Sequence, residues 1–201
     1  NSDQKYAYFY KGVSENELGK IEEAIESYSK VIEIDPSFTN AYFNRGLIYG
    51  RLLESKKTID DFTVVLESDP KNIDALFNRA YAKSELNDKI GAIRDFTKLI
   101  TDHPNHESAY FNRAEAKYNL GDNLGAISDY TRVIQLNSNN SNAYHGRGLS
   151  NYTLQNYKEA IEDFNKAIQL SPNDYYPYFN RGISKQKLQD FKGAIGDYSV
   201  A

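Results

Sequence analysis

Apolar residues along this chain recur at helical spacing, and the whole pattern repeats every 34 residues. Segment 41–46 reads AYFNRG, and related segments begin at residues 7, 75, 109, 143 and 177. After each of them comes a second stretch whose apolar residues fall on one helix face, so every period predicts two helices. Repetition at this length indicates stacked helical hairpins, none of which buries its apolar face alone. The sequence therefore predicts an all-α solenoid without a central core.

The borders of the helices are clearest in the second repeat, residues 39–72. We predict a first helix over residues 39–52 and a second over about 56–68, and Pro70 prevents further extension because it lacks an amide proton. In several repeats a Gly or Asn follows the first helix, as is typical where a helix ends on a residue with left-handed backbone conformation. Leu53 occupies that position in the second repeat, so we expect a less regular turn there.

The second helices carry a small, a branched and an aromatic residue in register. These are Ala24, Ala92, Ala126, Ala160 and Ala194; Ile25, Ile59, Ile93, Ile127, Ile161 and Ile195; and Tyr28, Phe62, Phe96, Tyr130, Phe164 and Tyr198. Such a face packs against another helix, and the alanine lets the two helices approach closely.

With prolines at the repeat borders, this pattern resembles the tetratricopeptide repeat (TPR). The resemblance covers essentially all of residues 1–201, in repeats 5–38, 39–72, 73–106, 107–140, 141–174 and a partial 175–201. It implies a single array, a right-handed superhelix of antiparallel helix pairs. It also implies an adaptor for protein or peptide partners, without naming the partner.

One face of each first helix has no obvious packing partner within its own repeat. With Thr39 as position 1, this face contains positions 2, 5, 6, 9, 12 and 13, and in the TPR family it lines a peptide-binding groove. The candidate groove residues are Phe43, Asn44, Leu47, Phe77, Asn78, Tyr81, Phe111, Asn112, Tyr118, His145, Tyr152, Phe179 and Asn180. Amides offer a donor and an acceptor to a peptide backbone, and aromatic rings offer contact area. We therefore expect an extended, mostly uncharged polypeptide ligand. Alternatively, these rings and amides only pack and bond between repeats.

Two known TPR binding modes can be compared with this face. The carboxylate clamp of TPR co-chaperones needs Lys and Arg, and positions 2, 5, 6 and 9 of the second to sixth repeats contain neither. That mode is excluded. The asparagines are similar to the series that lines the groove of the O-linked GlcNAc transferase repeats, although Gly146 interrupts the series here. The catalytic domain of that enzyme has no counterpart in these residues.

Positions 3, 4, 7, 8, 10, 11 and 14 of the first helix form the other face, which is predicted to pack inward and includes the leucine before each turn. Position 7 on this face holds an arginine. These are Arg45, Arg79, Arg113, Arg147 and Arg181. An unpaired charge there would cost several kcal/mol, so we predict a pair with the aspartate of the same repeat's second helix. The aspartates are Asp61, Asp95, Asp129, Asp163 and Asp197. The first repeat has Lys11 and Ser27 instead, so both partners are absent together. The alternative is a row of arginines that reaches a ligand.

Composition narrows the function further. A net charge of −4 argues mildly against nucleic-acid binding, and no apolar run reaches the roughly 18 residues of a membrane span. Without cysteine, thiol catalysis and disulfides are excluded. His103 and His106 lack a third ligand in sequence, and no phosphate-binding loop or catalytic triad motif occurs. We expect no enzyme, no metal and no cofactor.

A sequence without methionine is expected to be a processed chain or a fragment, and nothing in it fixes the compartment. At the far end, we expect Ile195, Tyr198 and Val200 to face solvent or to contact another copy end to end. Two alternative functions therefore stay open: a self-assembly platform through the repeat ends, and a substrate-recruiting arm of a larger enzyme.

Overall fold

The computed structural model describes residues 2–201, and their side chains from Asp3 onward. Twelve α-helices and no strand occur in this part of the chain. They are α1 (Ser2–Glu17), α2 (Ile21–Ile34), α3 (Thr39–Arg51), α4 (Ser55–Ser68), α5 (Ile73–Glu85), α6 (Lys89–Asp102), α7 (Glu107–Asn119), α8 (Asn123–Leu136), α9 (Ser141–Thr153), α10 (Tyr157–Leu170), α11 (Tyr175–Lys187) and α12 (Phe191–Tyr198). Each 34-residue repeat supplies two helices, so the predicted succession of helical hairpins is confirmed.

The chain divides into two compact units. The first, Asn1–Asp102, contains α1 to α6, and the second, His103–Ala201, contains α7 to α12. Within each unit every helix packs against the next helix in sequence. First helices also touch each other, α3 with α5 in the first unit, and α9 with both α7 and α11 in the second. This packing places the predicted ligand face of neighbouring first helices side by side.

The two helices of each repeat are joined by a turn with one left-handed residue. Its φ is 73° at Gly19, 59° at Leu53, 64° at Asn87, 81° at Gly121, 64° at Gln155 and 63° at Gln189. The Leu53 amide donates to the Gly50 carbonyl at 3.1 Å, much as the Asn87 amide donates to Ser84 at 3.0 Å. Our expectation of a less regular turn at Leu53 is therefore wrong. Helix packing on both sides fixes the turn, and the leucine adopts a backbone conformation that its Cβ disfavours.

The core follows the predicted small and aromatic positions. Fully buried residues include Ala41, Ala75, Ala109 and Ala143 of the first helices, and Tyr28, Phe62, Phe96, Tyr130 and Phe164 of the second helices. A Cβ added at Gly46 would lie 3.3 Å from the Phe62 ring, which shows why small residues recur beside these aromatics.

The leucines just before the turns differ from the expectation that they pack inward. Leu52, Leu86, Leu120 and Leu188 are between 42% and 54% exposed. Each is the C-cap residue of its helix, where the chain already leaves the packed face to begin the turn.

Candidate functional site

In the first compact unit, the ligand face of α1, α3 and α5 surrounds an open cavity of about 630 Å³. Five of the predicted groove residues line it. They are Asn44, Leu47, Phe77, Asn78 and Tyr81. Phe43 is not among the lining residues, and the other candidates belong to the second compact unit. The helical spacing of the repeat thus brings amide and aromatic side chains from separate helices to one concave site.

The floor of the cavity comes from residues that the sequence analysis did not select. Tyr28 and Thr58 are each 1% exposed and lie beneath it, and Gly50 leaves space above them. A Cβ added at Gly50 would find only Thr58 within 4 Å, with its nearest atom at 3.9 Å. The same position holds Tyr118 in α7 and Tyr152 in α9. The signal that could have revealed the cavity is this loss of a side chain at one copy of position 12.

The aromatic residues at position 5 pack against the buried ring of their own repeat. Ring centroids are 5.8 Å apart for Phe43–Phe62, 5.8 Å for Phe77–Phe96, 5.8 Å for Phe111–Tyr130, 5.7 Å for His145–Phe164 and 6.0 Å for Phe179–Tyr198. These edge-on or tilted contacts support the hairpin. Part of each ring nevertheless remains accessible to solvent. Phe43, Phe77, Phe111 and His145 are half-buried, and Phe179 is exposed.

The asparagines at position 6 use their amide nitrogen within the protein. Nδ2 of Asn44 donates to the Tyr28 hydroxyl at 3.3 Å. Nδ2 of Asn78 donates to the backbone carbonyl of Asp74 at 2.8 Å, and Asn112 makes the equivalent bond to Ser108. These bonds fix the amide planes. The carbonyl oxygens of Asn78 and Asn112 accept no hydrogen bond from residues 2–201.

In the second compact unit, the remaining candidates lie on α7, α9 and α11. His145 is held by Asn180, whose Nδ2 lies 2.9 Å from the His145 Nε2. Burial lowers the pKa of His145, although Asp174 opposes the shift. The imidazole is therefore favoured in its neutral form, with Nε2 accepting the amide proton. The face is uncharged at this point.

The predicted arginine–aspartate pair is confirmed in each of the five repeats that contain it. The Nε to carboxylate oxygen distances are 2.9 Å for Arg45–Asp61, 2.8 Å for Arg79–Asp95, 2.8 Å for Arg113–Asp129, 3.1 Å for Arg147–Asp163 and 2.9 Å for Arg181–Asp197. Nη2 donates to the same carboxylate in every pair. In the first repeat, Glu15 takes the place of the aspartate as the acceptor. The Ser27 hydroxyl donates to Glu15 Oε2 at 2.6 Å, and Lys11 Nζ lies 3.4 Å from Glu15 Oε1.

A third partner of the arginines was missed. Nη1 of the arginine donates to a polar side chain on the second helix of the preceding repeat. The bonds are Arg45–Ser29 at 2.8 Å, Arg79–Thr63 at 3.2 Å, Arg147–Thr131 at 3.2 Å and Arg181–Asn165 at 2.6 Å. The signal was present as Ser, Thr or Asn at one position every 34 residues. Each of these arginines thus joins three helices and links neighbouring repeats.

The aspartates differ in how many cations they contact. Asp95, Asp129 and Asp197 each receive a lysine as well, at 2.7 to 2.9 Å. Asp61 receives none, because Tyr49 stands at the position of that lysine. Burial opposes ionisation of Asp197, but hydrogen bonds from Arg181 and Lys185 outweigh it and lower its pKa. Burial raises the pKa of Asp61, with Arg45 alone opposing the shift.

The histidine pair of the sequence serves a local structural role at His106. Its Nδ1 accepts the Ala109 amide at 3.2 Å and caps the start of α7. Within residues 2–201 no group of three or more His, Cys, Asp or Glu side chains is arranged to hold a metal ion. In the same residues, no helix has both the length and the apolar character that crossing a bilayer requires.

Solved structures with the same fold were found at low sequence identity. MamA shares 22% identity over 81% of this chain and 88% of its own, with a TM-score of 0.78. YrrB, described as a TPR protein with an unusual peptide-binding site, shares 21% over 88% and 91%, with a TM-score of 0.82. A tetratricopeptide repeat protein from Parabacteroides merdae shares 23% over 97% and 77%, also with a TM-score of 0.82. These likenesses confirm the α-solenoid fold.

Sequence comparison leads to the same family. No curated protein matches the chain. Family models for the tetratricopeptide repeat match residues 74–106, 107–140 and 141–174, and a TPR repeat model matches residues 12–52. The matches over 74–106, 107–140 and 141–174 follow the 34-residue period and the helical hairpins of the structure, whereas the match over 12–52 extends from within α1 to the end of α3. The chain therefore belongs to the tetratricopeptide repeat family.

Proposed function

We propose that this protein is a non-catalytic interaction scaffold that holds an extended, mostly uncharged polypeptide segment on the ligand face of its first helices. The observation that carries the proposal is the cavity between α1, α3 and α5, lined by Asn44, Asn78 and Tyr81. We further take the six repeats as one array, as their uninterrupted spacing predicts.

The chemistry of this face suits a peptide backbone. The Asn78 carbonyl oxygen is oriented by the bond from its own Nδ2 to Asp74, so it can accept an N–H of the ligand without further ordering. Phe77 and Tyr81 supply rigid aromatic area, which costs little side-chain entropy on binding. The printed description of YrrB names a peptide-binding site in the same fold, which supports a peptide ligand by analogy.

A displayed library of random peptides, selected on the protein, tests the proposal. We expect selected peptides to be rich in apolar and uncharged residues, and to lose most of their affinity for an Asn44→Ala/Asn78→Ala variant. Asn139→Ala, in an exposed loop away from this face, is the control and should bind like the wild type. Failure to select any peptide, or equal binding by the double variant, would refute the proposal.

Self-association is the second candidate, because α12 and the residues after it expose apolar side chains. Ile195 and Val200 are 65% and 60% exposed, whereas the isoleucines equivalent to Ile195 in the other repeats are half-buried. If this surface joins copies, light scattering will show a mass that rises with concentration for the wild type. An Ile195→Ser/Val200→Ser variant should then stay monomeric, and a monomeric wild type would exclude this candidate.

A further inference from the structure

Three repeats have a tyrosine at the buried aromatic position of the second helix, and their hydroxyl groups differ in one respect. Tyr130 donates its hydroxyl proton to Glu115. Tyr198 donates to Gln186 at 3.1 Å. The Tyr28 hydroxyl only accepts a bond, from Asn44, and has no acceptor for its proton among residues 2–201. A buried hydroxyl normally satisfies its donor, so this exception points to a missing acceptor.

That hydroxyl belongs to the floor of the 630 Å³ cavity. Tyr28 is 1% exposed, and burial raises its pKa, so it stays protonated and remains a donor. Gly50, Leu47 and Tyr81 line the same cavity, and Gly50 contributes no side chain to fill it. An occupant therefore meets the Tyr28 hydroxyl at the bottom, and around its sides both apolar side chains and the amides of Asn44 and Asn78.

The rim of the cavity carries more negative than positive charge. Glu17 and Glu85 line it with exposed side chains. Arg51 is the cation of the lining, and its guanidinium donates to Asn16. With two carboxylates against one guanidinium, the entrance favours a basic neighbour over an acidic one.

We propose that this cavity is an anchor pocket for one large apolar side chain of a peptide, with a peptide carbonyl accepting the Tyr28 hydroxyl proton and a basic residue following at the rim. The pocket gives the groove its sequence preference, whereas the asparagines contact backbone common to all peptides. This inference rests on the proposed function, because it assumes that the ligand of the same face is a polypeptide.

Two capped dipeptides, acetyl-Phe-Lys-amide and acetyl-Phe-Glu-amide, test the pocket directly by titration into the ¹⁵N-labelled protein. We expect saturable shifts of the amides around Leu47, Gly50 and Tyr81 in the millimolar range, as befits such small ligands. The lysine peptide should bind several-fold tighter, and added salt should reduce the difference. Shifts that never saturate, or equal affinity for the two peptides, would overturn the proposal.

Two substitutions separate the apolar and polar parts of the pocket. Gly50→Tyr fills the space with a side chain that α7 and α9 carry at the same position, so the fold accommodates it, and binding should disappear. Tyr28→Phe keeps the ring, as in Phe62, but removes both the proton offered to the peptide and the acceptor of the Asn44 amide, so it should weaken binding about five- to tenfold. Tyr130→Phe, the matched control outside the pocket, should bind like the wild type. Gly50→Ala, which adds a methyl group in open space, should retain binding.

Failure of the pocket and failure of the groove give different results. If library peptides depend on Asn44 and Asn78 but bind Gly50→Tyr unchanged, the groove stands and the pocket proposal is wrong. If the dipeptides bind as expected but no longer peptide is selected, the pocket stands and the extended groove is wrong.

Discussion

At the scale of single residues, the arginine at position 7 explains how a charge is tolerated on a packed face. Arg79 gives Nε and Nη2 to Asp95 at 2.8 Å each and Nη1 to Thr63 at 3.2 Å. The planar guanidinium on one helix thus donates hydrogen bonds to side chains on two other helices in one fixed geometry, which a lysine could not do. The pattern of Arg and Asp predicted the pair, but not the third bond, because that partner lies in the preceding repeat.

Removing the carboxylate of one arginine–aspartate pair should strongly destabilise the protein. Asp95→Ala leaves both Arg79 and Lys83 without the carboxylate that they share, so we expect a loss of about 3 kcal/mol in the free energy of unfolding. Urea denaturation followed by circular dichroism measures it. Asp60→Ala, an exposed carboxylate one residue before Asp61, is the control and should change stability by no more than about 0.5 kcal/mol. If Asp95→Ala lowered stability no more than this control, the arginine–aspartate pair would not behave as a buried ion pair.

Asp197 and Asp61 should respond to pH in opposite directions. The pKa of Asp197 is lowered in the folded state, so its stabilisation is complete above the ordinary carboxyl value of 3.8 and is lost as the pH falls through the lowered pKa. The pKa of Asp61 is raised, so the folded state binds its proton more tightly and gains stability on acidification.

Stability measured for the wild type and two asparagine variants between pH 7 and pH 3 checks these signs. Relative to Asp197→Asn, the advantage of the wild type should shrink on acidification. Relative to Asp61→Asn, it should grow. The same trend at both sites would contradict the opposite pKa shifts of the two carboxyl groups.

At the scale of elements, each turn between the helices of a hairpin needs one left-handed residue, and this need overrides the local sequence. Leu53 has a φ of 59° although leucine disfavours this region, and its side chain is exposed. Replacing it with glycine removes the strain without removing core contacts. We therefore expect Leu53→Gly to raise the free energy of unfolding by about 1 kcal/mol.

The reverse change at a native glycine is the control for this turn. Gly121 has a φ of 81° and a Cβ there would meet nothing within 4 Å, so Gly121→Ala should lower stability by about 1 kcal/mol through backbone strain alone. Thermal unfolding of the two variants provides the comparison. A destabilised Leu53→Gly would show that its side chain contributes more than its backbone costs.

At the scale of the whole molecule, the 34-residue period predicted the helices, their order and the packed positions because these depend on features that every repeat shares. The cavity could not be predicted in this way, since it depends on where one repeat departs from the others. Gly50 in α3 and the unsatisfied hydroxyl of Tyr28 in α2 are meaningful only once α1, α3 and α5 are seen around them. The exposed leucines before the turns were mispredicted because the helical wheel was extended into residues that already leave the helix.

The most direct test of the central claim maps a bound peptide onto the protein. Hydrogen exchange of the protein with and without a library-selected peptide should show added backbone-amide protection on α1, α3 and α5 around Asn44, Asn78 and Tyr81. Asn44→Ala/Asn78→Ala should abolish that change. Protection confined to the second helices α2, α4 and α6, or a map unaffected by the double substitution, would contradict the account and place the working surface elsewhere.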